Sequence, residues 1–257
     1  MLLAIDVGNT QTVVGLYEGE KLAGHWRLHT DKDRTADETR LWLRSLLEME
    51  GFSGRDIDGV VVSSVVPAVT ASFRQVGARL ADGMVVVVEP GVKTGMPILI
   101  DNPREVGADR VVNSVAARHR YGQPVVVVDF GTSTNFDVVG HDGAYLGGAI
   151  APGLAIATNA LIAGAAALRN VEFVPPRSPI GKGTVEAIQS GALYGHAGLV
   201  DGIMERIVAE LGGEVTRVAT GGLAPTIVPH CRSVDVIDDF LTLDGLRLIF
   251  DMNRDLP

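Results

Sequence analysis

Apolar positions fall into short unbroken runs and helically spaced sets, in a repeating order. Leu2–Ile5 is an unbroken apolar run that ends at Asp6-Val7-Gly8-Asn9-Thr10. Thr12–Tyr17 follows, then a polar turn at Glu18-Gly19-Glu20 and a third stretch, Lys21–Leu28. This pattern predicts a strand, a tight turn, a second strand, a hairpin turn and a third strand. From Ala36 to Glu50, the residues Leu41, Leu43, Leu46, Leu47 and Met49 recur at roughly helical spacing, and Gly51 marks a stop. Gly59–Val65 reads as a buried strand. Pro67 suits a first helical turn and opens a helix to about Leu80. Met84–Glu89 is another buried strand, and Pro103–Arg120 a helix reached through a turn.

The pattern then returns. Pro124–Ser133, reading PVVVVDFGTS, repeats the apolar run and Asp-x-Gly turn of residues 2–10. Asn135–Val139, a turn at Gly140–Gly143 and Ala144–Ile150 repeat the hairpin. An alanine-rich helix is predicted over Pro152–Leu168 and a long helical stretch over Gly183–Leu211. Arg217–Thr220 reads as a strand ending in Gly221-Gly222, followed by a short strand at Val234–Ile237 and a helix at Thr242–Asn253. Repetition of this kind decides an architecture. The expectation is one α/β unit copied twice, residues 1–118 and 119–257, joined near 115–123 without a linker and packed around a cleft.

Composition narrows the class of partner. The chain has 257 residues, 46% hydrophobic and 21% charged, which is ordinary for a globular protein. Its formal charge of −9 argues against the broad basic face that nucleic acid needs, and against an anionic membrane surface. The longest pure aliphatic runs, Val85–Val88 and Val125–Val128, fall far short of the ~20 residues of a membrane span. Cys231 is the single cysteine, so no intrachain disulfide forms, which fits a reducing compartment. A cytoplasmic location is expected.

Phosphate binding needs backbone N–H groups that approach closely, hence glycine and small hydroxyl residues at strand-to-turn junctions. Asp6–Thr10 and Asp129–Thr134 meet that need, and Gly221-Gly222 is a third glycine pair after a strand. Neither a Walker-type loop nor a Gly-x-Gly-x-x-Gly after a strand occurs. A single Asp-x-Gly turn is weak evidence, because tight turns use Asp and Gly for geometry alone. Two at duplicated positions are stronger: two such loops clamp a triphosphate, and each brings a carboxylate for a cation.

This arrangement resembles the acetate and sugar kinase, heat-shock-70 and actin superfamily. Four ordered motifs sharpen the resemblance to the type III pantothenate kinases: Asp6-Val7-Gly8-Asn9-Thr10, Asn102–Arg110 (NPREVGADR), Asp129-Phe130-Gly131-Thr132 and Gly147–Gly153 (GGAIAPG). The resemblance spans essentially the whole chain. It implies duplicated ribonuclease-H-like (actin-like ATPase) domains, each a mixed five-stranded sheet flanked by helices. It implies ATP-dependent phosphorylation of pantothenate to 4′-phosphopantothenate, the first step of coenzyme A biosynthesis.

By the same resemblance, Asp6, Val7, Gly8, Asn9 and Thr10, with the following Gln11, Thr12 and Val13, bind ATP, and Asp6 holds Mg²⁺ through water. Gly107, Ala108, Asp109 and Arg110 bind pantothenate, with Asp109 as the base. Asp129 carries K⁺ or NH₄⁺, Thr132 contacts ATP, and Thr184 after Gly181-Lys182-Gly183 contacts pantothenate. The family is dimeric, with the substrate site near the partner subunit. Asp109 has a physical rationale: phosphoryl transfer is mostly positioning and charge stabilisation, so one carboxylate near the attacking hydroxyl suffices. Arg110 beside it suits a carboxylate or phosphate oxygen. Gly147-Gly148 and Gly153 flank a strand end, where a helix N-terminus suits an anion.

Two positions depart from the family pattern. Ile100 stands where many members have an aromatic residue, and Asn135-Phe136 follow the second turn, so Asn135 is assigned no role. The six histidines show no metal spacing, and His25 and His29 read as surface residues. Trp26 and Trp42 read as packing residues, the Arg34, Arg40, Arg44 series as a solvated helix face, and Lys182 as an exposed loop residue. Two other functions compete: a kinase of another small alcohol, and a non-catalytic nucleotide-binding regulator.

Overall fold

The computed structural model describes residues 1–80, 84–164 and 171–254. The elements in chain order are β1 (Leu2–Val7), β2 (Gln11–Glu18), β3 (Lys21–His29), α1 (Ala36–Met49), β4 (Gly59–Ser64), α2 (Pro67–Leu80), β5 (Met84–Val87) and α3 (Ala108–Tyr121). They continue with β6 (Val125–Phe130), β7 (Ser133–Val139), β8 (Tyr145–Pro152), α4 (Leu154–Ala163), α5 (Thr184–Leu211), β9 (Thr216–Thr220), α6 (Ala224–Ile227), β10 (Val236–Ile237) and α7 (Leu241–Asn253). The chain divides into two compact units. One holds Met1–Pro97, Asp101–Ala116 and Phe240–Pro257; the other holds Ile98–Ile100 and Ala117–Asp239.

The first unit is built on a five-stranded sheet in the order β3-β2-β1-β4-β5. β1 runs antiparallel to β2 and parallel to β4. Strand alternation sorts its side chains into two faces. Leu3, Ile5, Val7, Val60 and Val62 form one face and close a core with Leu43 and Leu47 of α1 and Val69, Phe73 and Val76 of α2. The start of α1 is fixed by Thr35: its Oγ1 accepts from the Glu38 N–H at 3.3 Å, while Glu38 Oε2 accepts from the Thr35 N–H at 2.8 Å. α7 covers the other face. Tyr17 donates its hydroxyl to Asp244 Oδ1 at 2.7 Å. Gly15 faces Leu243, and Gly59 lies so close to the Phe250 ring that a Cβ there would stand 2.8 Å from Cε2.

The second unit repeats the order, β10-β9-β6-β7-β8, with β6 antiparallel to β7 and parallel to β9. Val126, Val128, Phe130, Phe136 and Val138 pack with Leu193, Val200 and Met204 of α5. In both β1 and β6 the first four residues and the last are buried, while the aspartate, second from the end, is partly exposed. The chain has the duplicated ribonuclease-H-like fold, two mixed five-stranded sheets flanked by helices.

Most element boundaries lie within two residues of the sequence pattern. β8 runs on through Pro152, so α4 starts at Leu154 with Gly153 as its N-cap. The expected end of that helix at Leu168 lies outside the described residues. The final strand is shorter than expected, two residues. The final helix belongs with the first unit, whereas the repeat pattern assigns 119–257 to the second half. Its apolar stripe of Leu241, Leu243, Leu246, Ile249 and Phe250 is buried, and part of that stripe meets Gly15 and Gly59 of the first sheet. Trp26 and Trp42 pack half-buried against the first core. His25 and His29 are exposed on β3, and Arg34 stacks 5.0 Å over the Trp42 ring. Cys231 is half-buried, and burial is the main cause that pushes its thiol up to about 12, which keeps it protonated at neutral pH.

Candidate active site

The first turn sits at the end of β1, the central strand. Asp6 is flanked in register by Val13 on β2 and Ser63 on β4. The Gly8 N–H donates to the Gln11 carbonyl at 2.9 Å and closes the turn. A Cβ on residue 8 would stand 3.0 Å from that oxygen. Thr30, at the end of the hairpin, ties the turn down: its Oγ1 donates to the Gly8 carbonyl at 2.8 Å and its N–H donates to the Thr10 carbonyl at 3.0 Å. Thr12 is buried and shares a 2.9 Å hydroxyl hydrogen bond with Thr30. Asn9, Thr10 and Gln11 are exposed, and Val13 is half-buried.

The second turn sits at the end of β6 and is one residue shorter. The Gly131 N–H donates to the Ser133 carbonyl at 3.0 Å. Asp129 is flanked by Asn135 on β7 and Thr220 on β9. Two glycines press on it. Gly221 has φ +93°, and a Cβ there would stand 2.5 Å from Asp129 Oδ1 and 2.7 Å from the Phe130 carbonyl oxygen. A Cβ on Gly153 would stand 2.8 Å from the Gly131 carbonyl oxygen. Thr132 is exposed. Asn135 accepts from Ser133 Oγ at 2.8 Å. Thr134 is buried and shares a 2.9 Å hydrogen bond with His196 Nε2 of α5. Burial lowers the pKa of His196 and favours the neutral imidazole.

Asp109 belongs to the first unit and stands in the first turn of α3. Asn102 orders the 3₁₀ turn that precedes the helix. Its Oδ1 accepts from the Arg104 N–H at 3.3 Å and its Nδ2 donates to Glu105 Oε1 at 2.7 Å, which caps the short 3₁₀ turn Pro103–Glu105. Asp109 Oδ1 then accepts from the Arg110 N–H at 2.9 Å. Gly107 leaves the carboxylate room, since a Cβ there would stand 2.5 Å from Oδ1. Burial holds the Asp109 carboxyl above the usual carboxylate range, opposed by that hydrogen bond and by the Arg110 charge. Ala108 and Arg110 are half-buried beside it.

Thr184 is the exposed first residue of α5, on the rim of an apolar groove of about 490 Å³ between α4 and α5. It lies about 18 Å along the helix from His196, the residue that touches Thr134, at 1.5 Å rise per residue. Lys182 is exposed, and its N–H donates to Glu186 Oε2 at 3.3 Å. Ile100 lies in the second unit beside Gly147, whose Cβ would stand 3.4 Å from Ile100 Cγ2. The structure thus places Asp6, its turn and Asp109 in the first unit, and Asp129, Thr132 and Thr184 in the second. Thr30, His196 and Ser63 are site neighbours that residue type alone did not single out. The doublet Ser63-Ser64 in an otherwise apolar strand was the one available signal.

Comparison with known proteins covers nearly the full length. Residues 2–206 match the family model described as type III pantothenate kinase. A Frankia alni protein named type III pantothenate kinase is 55% identical over 98% of this chain and 100% of its own length. A Moorella thermoacetica protein of the same name is 51% identical over 98% of this chain and 100% of its own. In structure, component A of (R)-2-hydroxyglutaryl-CoA dehydratase from Acidaminococcus fermentans superposes with a TM-score of 0.57 at 15% identity, covering 98% of this chain and 96% of that one, a likeness of fold.

Proposed function

The chain belongs to the type III pantothenate kinase family, and from that premise we propose that it transfers the γ-phosphoryl group of ATP to the primary hydroxyl of pantothenate. The products are ADP and 4′-phosphopantothenate, the first step toward coenzyme A. The observation that carries the reading of the chemistry is the Asp109 carboxylate, held at a helix start with its pKa raised by burial. A carboxylate so poised accepts the hydroxyl proton as the phosphoryl group arrives. Arg110 pairs with the pantothenate carboxylate, and Gly107 and Ala108 bring backbone close to the substrate. The Asp6–Val13 segment cradles the ATP phosphates, and Thr132 is a further ATP contact by the family pattern.

The residues fit a divalent ion and a monovalent one in different ways. Among the described residues no three His, Cys, Asp or Glu side chains form a cluster that could hold a metal. Asp6 therefore offers one carboxylate, which suits hydrated Mg²⁺ completed by phosphate oxygens and water. When bound, Mg²⁺ neutralises phosphate charge. At Asp129, the carboxylate Oδ1 and the Phe130 carbonyl oxygen both lie close to Gly221. That pair of oxygens suits K⁺ or NH₄⁺. Thr184 contacts pantothenate, and Ile100 offers an apolar wall where an aromatic residue is usual. A homodimer with the substrate site near the partner subunit completes the reading, in the cytoplasm. Among the described residues no helix is long and apolar enough to cross a membrane.

The test is coupled ADP release with ATP, Mg²⁺ and pantothenate, run with K⁺ and then with Na⁺ alone. Turnover that needs both pantothenate and K⁺ is expected. Folded protein that releases no pantothenate-dependent ADP at saturating ATP would overturn the reading in favour of another small alcohol or a nucleotide sensor.

A further inference from the structure

β4 ends in two serines whose side chains leave opposite faces of the first sheet. Ser64 is engaged: its Oγ accepts from the Val66 N–H at 3.2 Å and from Thr70 Oγ1 at 2.9 Å. Ser63 is 0% exposed, and its Oγ has no hydrogen-bond partner among the described residues. A buried hydroxyl without a partner is costly, and an alanine would fill nearly the same space. The side chain in register with Ser63 is Asp6, on the same face of the neighbouring strand, about 4.8 Å away at ordinary strand spacing.

The second sheet supplies the control. Thr220 holds the same position beside Asp129, in register on the parallel neighbour strand. Its Oγ1 donates to the Asp238 carbonyl at 2.7 Å. A hydroxyl at this place in the fold can therefore be satisfied by the chain itself, and in the first sheet no described residue does so. Ser63 Oγ is also closed to solvent. The group it can serve is a neighbouring side chain rather than a cation or a water.

We propose that Ser63 is a positioning residue for Asp6. With nucleotide and hydrated divalent cation at the first turn, one Asp6 carboxylate oxygen accepts the Ser63 hydroxyl hydrogen bond, and the other faces the water of the cation. The inference rests on the reading of Asp6 as the carboxylate that holds this cation.

The experiment measures Mn²⁺ binding by electron paramagnetic resonance with a non-hydrolysable ATP analogue, alongside thermal unfolding without ligand. The proteins are the full chain, Ser63→Ala, Ser63→Thr and Asp6→Asn. Ser63→Ala should unfold at the same temperature as the parent or higher, yet bind Mn²⁺ with nucleotide about three- to tenfold more weakly. Ser63→Thr keeps the hydroxyl and should restore binding; Thr220 shows that the counterpart position accepts threonine. Normal binding by Ser63→Ala with weakened binding by Asp6→Asn overturns the role of Ser63 and leaves Asp6 standing. Normal binding by both overturns the reading of Asp6, and this inference with it. A Ser63→Ala protein that loses stability and affinity together, without rescue by threonine, shows a structural hydroxyl and also overturns it.

Discussion

The two sheets share strand order, strand directions and the burial pattern of their central strands, yet their aspartates live in different surroundings. Asp6 sits beside a turn one residue longer, next to Val13 and a buried serine whose hydroxyl has no partner among the described residues. Asp129 sits in a shorter turn with Gly221 pressed against its carboxylate and Gly153 against the turn backbone, beside a threonine already bonded to the main chain. Duplication fixed where a carboxylate emerges; the neighbours decide what it does. The longer turn carries the carboxylate proposed for Mg²⁺, the shorter one the carboxylate proposed for the monovalent cation.

The largest effect is expected at Asp109, the proposed base. Asp109→Asn should lower turnover by about 10²-fold or more while the fold persists. Its thermal unfolding temperature at neutral pH should hold or rise, because a desolvated charge is removed. The same group sets a pH signature. A base must be ionised, so kcat/KM should fall as pH drops through the Asp109 pKa, which lies above the usual value near ~3.9. An acid limb at the ordinary value in the parent would break the assignment.

The next effect probes the tight turn. Gly221→Ala should destabilise by about 2–3 kcal/mol, since both φ and the backbone at Phe130 oppose a Cβ. Gly8→Ala should cost less, about 1 kcal/mol, because its one close contact lies at 3.0 Å. Denaturant titration of the two variants tests the contrast, and equal losses would erase it. Asp129→Ala should abolish the difference between K⁺ and Na⁺ in turnover; an unchanged K⁺ preference would refute the second cation site. The smallest effect concerns His196. Its lowered pKa means the unfolded chain binds the proton more readily, so its contribution to stability is present above about pH 6.5 and is lost as pH falls. His196→Gln should flatten that part of the stability–pH curve.

Local chemistry made the duplicated frame legible. Valine runs before Asp-x-Gly mark central strands, and Asn102-Pro103 marks the cap that leads to Asp109. What escaped reading depends on register and distant packing. Ser63 and Thr220 look alike as polar residues near strand ends; only pairing shows both flanking an aspartate, and only the Asp238 carbonyl distinguishes them. Gly221 reads as a turn residue until its approach to Asp129 is seen. The stripe of α7 announces a buried helix without saying which sheet it covers.

That last helix inverts the order of assembly relative to the order of synthesis. A nascent chain elongated through Asp239 has every strand of the first sheet and lacks the helix that covers the Asp6 face. The second unit, by contrast, has its last residue at Asp239. The half translated first is thus the half completed last, and a released chain ending at Asp239 should have a protease-sensitive first unit and a resistant second one.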